Sequence, residues 1–233
     1  MFSSLWTRFS NAFLANNCDG LARIAEGFGN TMMIALCALC IGIILGTFLA
    51  IARVIPKNNF FVKVLSALST AYITFFRGTP IVVQLLLVYY GILATSEIPA
   101  LIIATVVFGM NSSAYVAEII RGGIQSVDPG QTEAGLSLGL PYSTVMSEIV
   151  LPQAIKNIFP ALGNELIALI KDTSVVGFIT VFDATRATRV IITNTYDALV
   201  PYIFLALIYL VIIMIATKLV SILEGRLHRS DKH

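Results

Sequence analysis

The sequence predicts an all-α polytopic membrane protein of five transmembrane helices, with interfacial and cytoplasmic helices between them. Three observations carry that prediction. Of the 233 residues, 57% are hydrophobic and only 12% are charged, and the mean hydropathy of +0.87 lies well outside the range of soluble globular domains. Several apolar runs approach or exceed the roughly 20 residues that a helix needs to cross a bilayer. Between two of them lies a polar, helix-forming island around Glu133, where a membrane-embedded chain would touch something soluble.

Taken in order, residues 1–30 carry Arg8, Asp19, Arg23 and Glu26 without a continuous apolar core, so they do not read as a cleaved signal peptide. Residues 31–55 are almost unbroken apolar sequence and form the first span. After Pro56, the residues Phe61, Val64, Leu65, Leu68, Tyr72, Phe75 and Phe76 recur at helical intervals opposite Lys63, Ser66, Ser69 and Thr70. That pattern predicts a helix lying in the membrane interface. Thr79 as N-cap and Pro80 as first helical residue then open a second span over 80–96.

The third span covers 99–120 and is expected to stop at Gly122-Gly123. Asn111, Tyr115 and Glu118 share one face of it, which should look into protein or water, while Gly109 and Ser113 form a small-xxx-small pair suited to close helix approach. Gly42 and Gly46 offer a similar face on the first span. The fourth span, 153–182, is expected to be broken at Pro160, Asn164-Glu165 and Lys171-Asp172-Thr173-Ser174, which is tolerated at membrane depth only inside protein or beside a cavity. The fifth, 201–223, is conventional, with Lys218 able to snorkel, and 224–233 form a tail.

Composition also excludes. A net charge of +2 gives no excess for a polyanion, so no nucleic-acid partner is expected. Of the cysteines Cys18, Cys37 and Cys40, the last two sit in an apolar helix with both histidines, His228 and His233, in the tail; they read as small buried residues, and no metal site is expected. There is no Walker lysine loop, no Gly-rich dinucleotide turn and no centrally placed histidine, so the chain is expected not to be an enzyme.

Five crossings put the termini on opposite sides, and the basic residues choose between the two arrangements. With the N-terminus outside, the inner segments hold nine: Arg53, Lys57, Lys63, Arg77, Arg121, Lys156, Arg226, Arg229 and Lys232. The outer segments hold four, Arg8, Arg23, Arg186 and Arg189. The positive-inside rule therefore favours N-out, C-in. The same choice makes 1–30 extracytoplasmic and places the polar island, 124–152, in the cytoplasm.

In that island Asp128 is a good N-cap, Pro129 suits the first helical position and Gln131 completes a capping-box start. Gly139 provides a left-handed exit, Pro141 prevents continuation, and a second helix of about ten residues can run to Pro152. The run Glu133-Ala134-Gly135, then Gly139, then Ile149 and Leu151-Pro152 resembles the EAA loop of the membrane subunits of ABC importers, with Gly135 where that family has a second Ala. Phe76-Arg77-Gly78-Thr79-Pro80 with Gln84-Leu85, Leu151-Pro152-Gln153-Ala154 and Lys171-Asp172-Thr173-Ser174 are similar to the FRGTP, LPQA and KDTS elements of the polar amino-acid permeases in that family.

The resemblance covers about residues 27 to 225 and implies the type I ABC importer permease fold in a bacterial cytoplasmic (inner) membrane. It implies a single permease domain over 31–223, paired with itself or a paralogue, on two ABC ATPase subunits that bind the ATP and Mg; this chain would hold no cofactor. It also implies a polar amino acid handed over by an extracytoplasmic binding protein. Glu133, Ala134, Gly135, Gly139, Leu151 and Pro152 would then form the ATPase-coupling element. Asn164, Glu165, Thr173 and Ser174 are candidates for the substrate pathway, Glu165 because a carboxylate at that depth needs a partner, either Lys171, Arg77 or a backbone donor in a structural pair or the ammonium group of the cargo. An alternative is an ion- or proton-coupled secondary carrier in which Glu118, Glu165 and Asp172 relay charge, although it leaves the capped island unexplained.

Overall fold

Every regular element in the computed structural model is helical, and residues 2–14, 19–56 and 59–229 are described. Cys18, Lys57, Lys232, His233 and the side chains of His228 and Arg229 lie outside that description. The helices are α1 (Phe2–Phe13), α2 (Gly20–Val54), α3 (Phe60–Gly78), α4 (Ile81–Leu86), α5 (Ala100–Gln125), α6 (Pro129–Ser137), α7 (Tyr142–Thr144), α8 (Leu151–Asp172), α9 (Ala184–Thr195) and α10 (Leu199–Arg229). π-helical turns follow α4 (Leu87–Ile92) and α7 (Val145–Val150), and a 3-10 turn follows α8 (Thr173–Ile179).

Among the described residues, four helices, α2, α3, α5 and α10, are long and apolar enough to cross a membrane. Within the expected 80–96 span the regular helical stretch is Ile81–Ile92, which reaches only about 18 Å at the helical rise against a bilayer core of roughly 30 Å. The 19-residue α3, expected in the interface, is also long and apolar enough to cross by length and composition. Thr79 does not cap α4 either: its hydroxyl donates to the Phe75 carbonyl at 2.9 Å and closes α3, while Pro80 takes the N-cap position. The helix of the first expected span, α2, begins at Gly20, so residues 20–30 are its first turns.

The fourth span is less broken than its sequence suggests. The 22-residue α8, about 33 Å long, runs through Pro160 and Asn164-Glu165, and regular α-helix gives way only at Thr173. Pro152 does not start a segment: helical backbone is continuous from Tyr142, and the π turn before Pro152 loosens the bonding ladder where proline contributes no N–H. The Gln153 side-chain amide donates to the Ile149 carbonyl at 2.8 Å.

The chain divides into two compact units. The first (Met1–Ala38, Pro80–Phe108, Ala168–Ile215) has a core of Phe13, Ile24, Phe28, Ala187, Ile191 and Leu205. The Arg8 guanidinium clamps Asp197 through two bonds of 2.5 and 2.6 Å, and Asn30 donates to the Phe182 carbonyl at 2.8 Å. The second unit (Leu39–Thr79, Gly109–Ile167, Ala216–His233) joins α2 to α5 through glycine. A Cβ on Gly42 would lie 2.8 Å from Ser112 Oγ, on Gly46 2.8 Å from the Ser113 carbonyl oxygen, and on Gly109 2.7 Å from Ile41. The small-residue faces therefore serve packing within this chain.

Gly122-Gly123 does not end α5, which continues to Gln125. A Cβ at Gly123 would sit 2.3 Å from Ile158 Cγ1, so this glycine lets α8 approach, and the stop comes where Ser126 Oγ turns back to the Gly123 carbonyl at 2.8 Å. Cys37 and Cys40 are exposed rather than buried: the contact face of α2 passes through Gly42 and Gly46, which leaves the two thiols on the outward side.

Candidate functional site

The polar island folds into a tight helical hairpin. The Asp128 carboxylate accepts the Gly130 amide at 2.8 Å, and Pro129 takes the first helical position, where its missing N–H costs nothing. At the other end Gly139 has φ +81°. Its amide bonds to the Leu136 carbonyl at 2.9 Å and the Leu140 amide reaches the Gly135 carbonyl at 3.2 Å, the paired bonds of a Schellman stop. The chain then returns along α6 through Val145–Val150.

Within the hairpin the coupling candidates separate. Glu133 and Ala134 are exposed, but Gly135 is buried, and a Cβ there would meet Val145 Cγ2 at 2.8 Å and Ile149 Cδ1 at 3.3 Å. The missing side chain at 135 thus serves approach of the hairpin's own second arm, not of an outside partner. Gly139 is the reverse case, with open space around its Cβ direction and a backbone conformation that opposes side chains. Leu151 is half-buried and Pro152 exposed. Sequence reasoning missed the apolar part of this surface: Leu138 is 82% exposed and Leu136 45%. Leu136 near the end of α6 and Leu138 at its C-cap together leave an apolar patch exposed on this hairpin.

The polar face of α5 meets protein, as its pattern required. Asn111 donates to the Phe76 carbonyl at 3.1 Å, the acceptor that Pro80 cannot serve because it has no N–H. Tyr72 bonds the Met110 carbonyl at 2.9 Å and lies 3.0 Å from Ser113 Oγ. Glu118 gathers three cations: Arg53 from α2, Arg121 at 2.7 Å from its own helix and Arg77 of the FRGTP stretch at 3.8 Å. Arg77 also lies over the Tyr115 ring at 5.3 Å. A carboxylate held by three guanidiniums is fixed as a brace between helices and is poorly suited to relaying protons. The participation of Arg53 and Arg77 was not legible in sequence, because 65 and 41 positions separate them from Glu118.

Glu165 is partly buried on α8, where Ser112 Oγ donates to its carboxylate at 2.8 Å. Asn164 beside it is exposed. Thr173 and Ser174 fall in the other compact unit. Thr173 is fully buried with its hydroxyl on the Ile170 carbonyl at 2.9 Å, so its bonding is local to its helix end, and Ser174 is partly exposed.

Comparison with known proteins gives these features a context. Residues 26–229 match the family described as binding-protein-dependent transport system inner membrane component. The chain is 39% identical over 210 residues to the arginine transport system permease protein ArtQ of Bacillus subtilis, covering 89% of this chain and 94% of that one. It is 34% identical to the putative glutamine transport system permease protein GlnP of Rickettsia felis, covering 88% and 92%. Among solved structures, an amino acid ABC transporter crystallised with histidines superimposes with a TM-score of 0.83 at 41% identity over 88% of this chain and 94% of that one. The MetNI methionine ABC transporter in an inward-facing form shares the fold at 15% identity, TM-score 0.73, over 88% and 96%. The secondary-carrier alternative finds no support among these relatives. The chain belongs to the family of binding-protein-dependent transport system inner membrane components, as a membrane-spanning permease subunit of an ABC importer that is not itself an enzyme.

Proposed function

We propose that this chain carries a polar amino acid across the bacterial cytoplasmic membrane, taking it from an extracytoplasmic binding protein and moving it with energy from two ATPase subunits that hold the ATP and Mg. Two permease chains, identical or paralogous, form the pathway. The observation that carries the reading is the capped hairpin of α6, a rigid polar element that exposes Glu133, Ala134 and two leucines between α5 and α8. An ATPase can drive transport only if its motion reaches the spans, and this hairpin is covalently joined to both helices. Relatives named for arginine and glutamine transport support a polar amino acid as cargo.

In this reading the termini lie N-out, C-in, supported by nine basic residues against four across the two sides. Leu138 and Leu136 enter the ATPase groove, Glu133 contacts its edge, Gly139 holds the turn, and Leu151-Pro152 joins the hairpin to α8. Glu165, oriented by Ser112, lines the pathway with Asn164, whereas Thr173 shapes its own helix end.

The test is reconstitution of the tagged chain with the ATPase that copurifies, followed by hydrolysis with and without the amino-acid-binding protein. Stimulated hydrolysis and amino-acid uptake are expected; a chain that retains no ATPase and transports alone would refute the importer. Glu165→Gln keeps the Ser112 hydroxyl bond but removes the charge, so transport rate or substrate preference should change while assembly is retained. Unchanged rate and preference would remove Glu165 from the pathway.

A further inference from the structure

The outer face of α9 carries a second polar site that neither the coupling hairpin nor the pathway uses. Asp183 caps the helix, accepting the Thr185 and Arg186 amides at 3.1 and 3.0 Å. Ala184, Ala187, Thr188 and Ile191 are buried on one side. The opposite side turns Arg186, Arg189, Thr193 and Asn194 toward Gly177 and Thr180 of the preceding turn, around an open cavity of about 380 Å³. Gly177 is what keeps it open: a Cβ there would lie 2.8 Å from Arg189 Nη2 and 3.0 Å from Asp183 Oδ1.

Two guanidiniums line this cavity, and among the described residues neither has a carboxylate within ion-pair distance. Arg8, in the same unit, is paired with Asp197. Arg186 Nη1 is buried with no acceptor among the described residues, which is costly unless something else supplies one. Arg189 lies over the Phe178 ring at 5.6 Å, which limits its freedom and aims its fork. Asp183 is the nearby anion, but it is fully buried and its oxygens serve the helix amides. A rigid pair of forked donors flanked by neutral hydroxyl and amide groups is suited to a carboxylate.

We propose that this cavity docks an acidic side chain, Asp or Glu, from the extracytoplasmic binding protein. The inference rests on the importer reading and N-out topology above, which put the segment between α8 and α10 on the delivery side. Charge complementarity selects the occupant: the guanidinium pair lacks an anion of its own, and paired charges at such a surface set encounter rate and register. Arg186 fixes the carboxylate in the cavity, and Arg189, braced by Phe178, completes the fork.

The experiment uses the full complex with its ATPases in nanodiscs and the binding protein that stimulates wild-type hydrolysis. Binding-protein affinity and its salt dependence are measured for wild type, Arg186→Gln, Arg189→Gln, Arg189→Lys and the Arg186→Gln/Arg189→Gln pair, alongside unstimulated hydrolysis and thermal melting. Affinity should fall about tenfold or more in the double variant, with a flatter salt dependence. Unstimulated hydrolysis and melting should hold, and Arg189→Lys should retain part of the binding. Arg189→Glu combined with reversal of one acidic residue on the binding protein should restore binding that each change alone weakens. Double-variant affinity within twofold of wild type would overturn the inference, and so would loss of free amino-acid binding with docking unchanged. Failure of the wild-type complex to respond to any binding protein would instead refute the importer reading, so the two failures are distinct.

Discussion

Replacing Gly139 by valine perturbs one backbone angle and little else. The residue sits at φ +81° with no atom within 4 Å of the Cβ direction, so the new side chain meets no obstacle inside this chain. The cost is conformational: a left-handed residue with a Cβ loses about 1 to 2 kcal/mol, with a β-branched side chain at the upper end. That shifts the equilibrium between the formed and opened Schellman turn by a factor of roughly 5 to 30. The spans do not depend on this turn and should insert normally. If the ATPase recognises the closed hairpin, its affinity should fall by about the same factor in Gly139→Val, and fall little in Gly139→Asn, because asparagine tolerates the left-handed region. Glu133→Lys reverses an exposed charge without touching the turn, so it should weaken attachment by a separate route. The assay is ATPase retention and substrate-stimulated hydrolysis in purified complexes. Wild-type values for both quantities in Gly139→Val and Glu133→Lys would refute the coupling assignment, and equal loss in Gly139→Asn and Gly139→Val would show that the partner packs against residue 139 itself.

Glu118→Gln should lower the thermal midpoint by an amount matching about 3 kcal/mol, because Arg53 and Arg121 are left mostly buried without their anion; Arg77→Gln should cost much less, its side chain being 44% exposed and its contact 3.8 Å. Equal midpoints for Glu118→Gln and wild type would refute the brace. Gly46→Val drives side-chain atoms into the Ser113 backbone and should destabilise by about 1 to 3 kcal/mol, whereas Gly29→Ala meets nothing within 4 Å and should be neutral or stabilising by up to about 1 kcal/mol; thermal melting separates them. Arg8 holds the Asp197 carboxyl below its ordinary range, first through their hydrogen bond, so the pair's contribution is present above the unfolded carboxylate range and is lost as pH falls through the lowered folded value. Protection factors in α1, with exchange corrected for its intrinsic pH dependence, should therefore fall on acidification, and Asp197→Asn should show the lower protection already at neutral pH.

The all-α membrane class, the Asp128, Pro129 and Gly139 caps of the α6 hairpin and the family were legible in the chain because each depends on residues close together in sequence. Asp128, Pro129 and Gly139 act on their own backbone, hydropathy acts through contiguous runs, and motif spacing survives without coordinates. Tertiary structure decided what depends on neighbours brought from elsewhere. Gly122-Gly123 and Pro160 are helix breakers by propensity, yet α5 and α8 pass through them, since close packing and membrane depth favour keeping backbone groups in helical bonds. Gly135 and Gly139 stand four positions apart in one motif, but the first is empty to admit Val145 and the second to reach a positive φ. Arg53 and Arg77 became partners of Glu118, and Ser112 of Glu165, only when separate helices were laid side by side. Sequence alone can say that a buried charge needs a counterpart; which residue supplies it is fixed by the approach of helices, and here the glycines of α2 and α5 set that approach.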